Sequence, residues 1–289
     1  MKFQDFTKTQ PLFQTKSLGD GIYVIQDVVG VEMYLIEGDE KALLIDTGIG
    51  IGNLKDVVEK ITNKPIMVYL THGHVDHAGG IYNFDKVWVD MQDIDLLQKH
   101  TKVEFRLDFA SAYIPELKEI EDAKNHMPYH DHIKLFPVCC KNQIELGNRK
   151  LQVIDLKGHT QGSIGFYDEK TKTLFAGDAC NNSTFLFLEE STSVSGYKKT
   201  LLQLKEKWMS RIDHFIICHE YIEIPTSVVD DVINCCDMVI EGQASGIEFI
   251  IPYVPFQNGR SYWAANGAEH REKVDGKIGN LIYDVDKVL

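Results

Sequence analysis

Residues 65–80, PIMVYLTHGHVDHAGG, pass without a break from an apolar run into His72, His74, Asp76 and His77. The run reads as a β-strand, so these ligand-grade side chains stand where a rigid sheet ends and aims the loop that follows. Burying such a cluster without partners would cost too much for a plain hydrophobic core. The arrangement recurs downstream: His159 follows LQVIDLKG, Asp178 follows TLFAG, and His219 follows HFIIC. Four strand ends therefore offer imidazole or carboxylate groups, and the fold has to be one that sets functional loops on the ends of sheets.

Apolar, β-branched runs bounded by Gly, Asp or Asn recur along the 289 residues. GIYVIQD, VEMYLIEG, ALLIDTG, PIMVYLT and KVWVD come first, then KLQVIDL, SIGFYD, TLFAGD and HFIICHE; all read as strands. Helical patterns over 52–62, 196–208 and 226–242 lie between some of them, the last with Thr226 or Ser227 as a cap behind Pro225. Hairpin-like neighbours mixed with strand–helix units predict stacked sheets flanked by helices, not a doubly wound parallel sheet. Residues 92–142 interrupt the rhythm with a polar, helical section, read as an insertion placed to cover a site. Two more short strands, GIEFIIPYVP and GNLIYDVD, fall within 245–289. No low-complexity linker or 20–50-residue repeat is present. The expectation is one domain over 1–289, with a core at about 18–225, the insertion at 92–142 and a C-terminal extension over 226–289.

The strand-end donors are His72, His74, Asp76, His77, His159, Asp178 and His219, seven in all. A catalytic zinc takes about three protein ligands and a water. Seven suits two ions about 3.5–4 Å apart that share a carboxylate. Five imidazoles with two carboxylates favour two zinc ions, with iron or manganese as alternatives.

THGHVDHAGG resembles the H-x-H-x-D-H signature of the metallo-β-lactamase-fold superfamily, and LIDTG (44–48), GHTQGS (158–163), FAGD (175–178) and CHE (218–220) are similar to its further motifs, in the same order. The resemblance covers about residues 18–225. It implies an α/β, four-layer αββα sandwich, with two mixed β-sheets flanked by helices. It also implies that His72, His74 and His159 hold one metal and that Asp76, His77 and His219 hold a second. Asp178 would bridge the two, and Asp46 would be a buried carboxylate buttressing the site. Two places depart from the pattern: Lys157 stands for the usual proline before Gly158–His159, and His219 lies in IICHEYIEIP instead of a P-G-H or P-S-H context. His214 is the rival ligand; His219 is preferred because it closes the run FIIC, which His214 opens.

The redox-active di-iron branch of the superfamily has glutamate where His74 stands, and its true β-lactamases lack a bridging aspartate. The full set here resembles glyoxalase II, acyl-homoserine lactonases, tRNA-processing nucleases and phosphodiesterases. The resemblance implies a dinuclear zinc hydrolase in which a hydroxide shared by the metals cleaves a small carboxyl ester, thioester or lactone, with Asp76 also relaying the proton. Alternatives are a phosphodiesterase, an oxidoreductase of the same fold (di-iron or persulfide dioxygenase type), and a sensor without turnover. No G-x-S-x-G elbow or P-loop glycine run competes with this reading.

Charge narrows the partners. A formal net charge of −13 with no basic stripe argues against nucleic acid and against an anionic membrane surface. No apolar stretch reaches the roughly 18–20 residues of a membrane span. The first residues lack the apolar core of a secretory signal, and the six cysteines contain no C-x-x-C. Reduced thiols in a cytoplasmic protein acting on a small-molecule substrate are expected, with the oligomeric state open. His126, His130 and His132 read as a solvated turn, Cys180 as a small packed side chain, and Tyr113, Tyr197 and Phe187 as core aromatics. Arg260, Arg271 and Lys273 occupy the region where a glyoxalase II would carry glutathione-binding residues, though no motif picks them out.

Overall fold

The protein is described from a computed structural model, which covers residues 2–130, 132–138, 142–250, 261–264 and 276–289. The chain divides into two compact units, Met1–Gln152 with Cys218–Glu220, and Val153–Ile217 with Tyr221–Leu289.

The first unit opens with α1 (Phe3–Thr9), β1 (Phe13–Gly19), β2 (Ile22–Asp27), β3 (Glu32–Glu37) and β4 (Ala42–Ile45). It continues through α2 (Leu54–Ile61), β5 (Ile66–Tyr69), α3 (Val75–Ala78), β6 (Lys86–Val89), α4 (Ile94–His100), α5 (Val103–Tyr113), β7 (Lys134–Pro137), β8 (Gln143–Glu145) and the start of β9 (Lys150–Asp155). Strands β1 to β7 form one seven-stranded sheet in chain order. It is antiparallel from β1 to β4 and parallel from β4 to β7. Parallel neighbours need a crossover, and α2 supplies one between β4 and β5. Asn53 caps that helix by accepting the Asp56 N–H, and Leu54 and Val58 are its buried face. They join Met33, Leu35, Leu44, Val68 and Leu70 in the core. All four positions of β4 are buried, as a continuous apolar run demands of a strand covered on both faces.

Within 92–142 the helical character extends to His126, after which Lys134–Pro137 add β7 to the sheet in parallel with β6. The end of that section is therefore an edge strand. Its exposed and half-exposed residues carry little apolar signal, which is why it reads as insertion.

The second unit continues β9 into β10 (Ile164–Asp168), β11 (Thr173–Phe175), β12 (Thr184–Leu186), α6 (Val194–Lys207), β13 (His214–Ile216), β14 (Glu223–Ile224), α7 (Val228–Ile240), β15 (Ser261–Trp263) and β16 (Leu281–Asp284). Its strands run in the order β14-β13-β11-β10-β9 and are mixed, parallel at β11–β13 and antiparallel at β10–β11 and β13–β14, while in the first unit β8 pairs antiparallel with the start of β9. Helix α6 is capped by Ser193 Oγ accepting the Gly196 N–H at 3.1 Å. Tyr197, Leu201 and Leu204 of α6 and Val228, Val232, Cys235 and Cys236 of α7 pack with Leu174 and Phe215. Ser227 occupies the N-cap position of α7 without a side-chain cap bond, so neither expected capping hydroxyl does that work.

Two large mixed sheets with helices make this the mixed α/β fold expected. A third sheet, β12-β16-β15, was not anticipated. GNLIYDVD supplies β16, whereas GIEFIIPYVP shows only an isolated bridge from Glu248 to Tyr262 before 251–255 leave the described residues. Cys139, Cys140, Arg260, Arg271 and Lys273 also lie outside them. Among the described residues no helix is long and apolar enough to cross a membrane, and Cys180, Cys218, Cys235 and Cys236 form no disulfide.

Candidate metal centre

In the first unit the turn after β5 brings His72, His74, Asp76 and His77 together, and the short segment 218–220 adds His219. His77 Nε2 lies 3.2 Å from His219 Nε2, and Asp76 Oδ2 lies 3.8 Å from the first and 3.5 Å from the second. The His72 ring stands perpendicular to His74 at 4.8 Å and tilted against His77 at 4.1 Å between centroids.

Asp46, fully buried, organises this cluster from behind. It follows β4 with φ 63°, the left-handed region that aspartate tolerates better than most residues. Its Oδ1 accepts the Thr71 N–H at 2.7 Å, and its Oδ2 accepts both Thr71 Oγ1 at 2.7 Å and His77 Nδ1 at 2.9 Å. Thr71 has one hydroxyl proton, and Asp46 takes it. The same oxygen, 3.0 Å from His72 Nδ1, must therefore accept there. Both imidazoles carry their proton on Nδ1, leaving the Nε2 lone pair to face the cluster. Thr71, immediately before His72 in the sequence, was not singled out there, and its hydroxyl links Asp46 to His72.

The turn itself is held by close backbone approach. A Cβ on Gly80 would overlap the Thr47 carbonyl, and one on Gly79 the Ile49 carbonyl. The Gly73 N–H, between two of the histidines, is bonded to Asp93 Oδ2 at 2.9 Å. Residues 92–142 supply two further buried groups that the sequence did not reveal. His100 stacks on His74 (5.4 Å, 24°) and on Phe105 (4.3 Å, 22°). Arg106 donates to the carbonyls of Gly50, Gly79, Met127 and Pro128, and burial lowers its pKa to about 10.

Two buried carboxylates shape the local field. Burial pushes Asp27 up to about 6 against the opposing bonds from the Ile49, Val31 and Val29 N–H groups. Burial likewise pushes Glu32 up to about 7, opposed by the Gln26 amide and by His219.

In the second unit His159 follows β9 and Asp178 follows β11. His159 Nε2 lies 3.8 Å from Asp178 Oδ2. His159 Nδ1 donates to the Phe185 carbonyl at 2.8 Å, because a carbonyl only accepts; again Nε2 keeps its lone pair. Gly158 lies so close to the Tyr197 ring that a Cβ would overlap it, and Tyr197 Oη donates to the Ala179 carbonyl at 2.5 Å. Tyr197 therefore braces the His159 and Asp178 loops against each other, a role its position in an apolar helix pattern does not announce.

The remaining sequence candidates lie elsewhere or do other work. His214 is exposed and bonded to Glu223. His126 stacks on Phe3 at 3.9 Å, and His130 bonds to the Tyr82 carbonyl. Cys180 is fully buried, its thiol pushed up to about 12 by burial. Cys218 Sγ lies 4.0 Å from Asp46 Oδ2.

The donor set suits a divalent cation. Asp76, His77 and His219 place one ligand atom each within 4.8 Å of one another. Three imidazoles have Nδ1 tied to an acceptor behind them, which is how metal-ligating histidines are held, and histidine with carboxylate is a zinc-type combination.

Comparison with known proteins gives the family. Residues 27–210 match the family model described as metallo-beta-lactamase superfamily. The human acyl-coenzyme A thioesterase MBLAC2 is 28% identical over 217 residues, covering 66% of this chain and 75% of the relative. The hydroxyacylglutathione hydrolase GloC of Haemophilus influenzae is 26% identical over 182 residues, covering 60% and 79%. Among solved structures, a metallo-beta-lactamase from Pontibacter korlensis superposes with a TM-score of 0.56 at 15% identity over 77% of this chain and 97% of that one. The sec-alkylsulfatase Pisa1 from Pseudomonas sp. does so with 0.58 at 14%, over 80% and 42%. With its histidine turn, its buried buttressing aspartate and a family match across most of its length, this chain belongs to the metallo-beta-lactamase superfamily.

Proposed function

We propose that this protein hydrolyses small thioesters at a pair of zinc ions, in the cytoplasm. The family match, together with relatives named as a thioesterase and a hydrolase, supports a metal-dependent hydrolase; the thioester, the zinc and the count of two are our reading. The observation that carries it is the set of Nε2 lone pairs at His72, His77 and His159, each fixed by an acceptor on Nδ1. The substrate class follows from two relatives named for acyl-coenzyme A and hydroxyacylglutathione, both of which are thioesters.

In this reading His72, His74 and His159 hold one ion, Asp76, His77 and His219 the other, and Asp178 is shared. Bound there, such cations acidify water to near neutrality and polarise a carbonyl. The chain's own groups do the rest. Asp46 and Thr71 keep two rings in the tautomer that can ligate. Asp76, whose side chain is 14% exposed, can take a proton from water and return it to solvent. Asp178, fixed on the loop braced by Tyr197, keeps its distance from His159.

The test is thiol release from acyl-coenzyme A and acylglutathione substrates by zinc-loaded protein, run beside Asp76→Ala and metal analysis. Turnover lost in the variant, with two zinc equivalents per chain in the wild type, is expected. Fewer than one equivalent after metal-replete purification, or oxygen consumption with an iron-loaded protein and no thiol release, would overturn the reading.

A further inference from the structure

We infer that Phe185, Phe249 and Trp263 form a subsite for an apolar acyl chain, which makes thioesters of medium-length alkyl acids better substrates than acetyl or hydroxyacyl ones. The inference rests on the thioesterase reading for its substrate and on the second unit alone for its geometry.

Strand alternation begins it. Thr184 and Leu186 of β12 are both fully buried, so Phe185 between them projects to the opposite face and is only half-buried. Its carbonyl is the acceptor that fixes His159, and its ring stands edge-on to that imidazole with centroids 6.5 Å apart. From there the rings continue outward. Phe249 lies 5.5 Å from Phe185, and Trp263 lies 5.3 Å from Phe249 at 89°. Phe187, Leu188 and Ile282 form a buried floor beneath these three partly buried rings. Ile250, next to Phe249, is 67% exposed. The result is a half-open apolar path that starts at a candidate metal ligand.

Its chemistry selects an uncharged occupant. Among the described residues, Lys287, bonded to the floor, is engaged by the carbonyls of Leu188 and Glu189 at 2.6 and 2.7 Å, which also pins the end of the floor. An alkyl chain attached to a carbonyl at the His159 side would lie along the rings. Each methylene buried there is worth about 0.8 kcal/mol, or roughly fourfold in affinity. Phe249 and Trp263 also lie beyond the 27–210 span of the family match. Half of the subsite, Phe249, Trp263 and Ile282, thus comes from outside the matched span, in the kind of region where specificity belongs.

Two measurements separate this inference from the reading it rests on. Straight-chain carboxylates from butanoate to decanoate are titrated calorimetrically into wild-type protein, Phe249→Ala, Trp263→Ala and Trp263→Phe. Thiol release is then followed with thioesters of the same acids. The readout is the slope of log affinity against chain length, because misfolding lowers all lengths together. Wild type and Trp263→Phe should tighten about three- to fourfold per methylene, and the two alanine variants should lose most of that slope. A flat wild-type series, or a slope unchanged in both alanine variants, overturns the subsite. Graded binding without any thiol release overturns the thioesterase reading and leaves the subsite standing. Thiol release indifferent to chain length does the reverse.

Discussion

Asp46→Asn is the sharpest probe of the site because it alters one atom of a fully buried carboxylate. The replacement fits the left-handed backbone at φ 63°, and its carbonyl can still accept the Thr71 N–H that Oδ1 accepts now. The other position becomes an NH2 group facing two donors, Thr71 Oγ1–H and His77 Nδ1–H. Hydrogen bonds to a charged group are worth about 1.5–3 kcal/mol each. Losing two, offset by no longer burying a charge, should destabilise the metal-free protein by about 2–4 kcal/mol. The sharper consequence is chemical. To meet an N–H donor, His77 must move its proton to Nε2, and that nitrogen then cannot ligate. Metal affinity should fall about 10- to 100-fold, as read by competition with a chromogenic chelator, alongside urea denaturation of the stripped protein. Thr71→Val removes the hydroxyl that links Asp46 to His72 but keeps the Asp46–His77 bond, so it should weaken metal binding about tenfold while costing about 1–2 kcal/mol. An Asp46→Asn protein that loses stability yet binds metal like the wild type would refute the tautomer argument.

Three further outcomes follow from the same structure. Asp27, raised from 3.8 to about 6 by burial, binds its proton more tightly folded than unfolded. Its contribution is complete below about pH 4 and disappears as pH rises through 6, a loss of about 3 kcal/mol. Urea midpoints of stripped protein from pH 4 to 7.5 should show that fall on top of one from Glu32, which is raised to about 7, and Asp27→Asn should remove the Asp27 share while the Glu32 share remains. Arg106→Lys replaces a planar fork serving four carbonyls with a single ammonium, and should cost about 2–4 kcal/mol in urea unfolding. His100→Ala removes the ring stacked on His74 and should weaken cobalt binding and broaden its visible spectrum, whereas His100→Phe, which keeps the stack, should restore both.

What the sequence disclosed and what it withheld divide along physical lines. His72, His74, Asp76 and His77 stand out because a strand end fixes ligands within one turn, so the whole group falls inside six consecutive residues. Strands of the buried sheet interior such as β4, four residues long, declared themselves because they need unbroken apolar runs. The groups that hold the ligands are different in kind. Asp46 reaches His77 across 31 positions and the Phe185 carbonyl reaches His159 across 26, and a backbone carbonyl has no sequence signature at all. LIDTG was legible as a motif, but its bond to Thr71 was not. Of the sheet β12-β16-β15, β16 was legible in GNLIYDVD, whereas β12 and β15 were not, because three residues without a continuous aliphatic run are too few for a period of two to be distinguished from chance. His100 and Arg106 sit in helices whose polar composition marks them as surface, until the fold buries both and one becomes a neighbour of His74. Phe185 combines these cases. Read alone it is one more core aromatic, yet the backbone of the same residue orients His159 while its ring opens the apolar path beside it. Position and specificity are thereby tied to a single residue, so Phe185 substitutions that keep the ring should leave the orientation of His159 intact, and those that displace β12 should disturb both together.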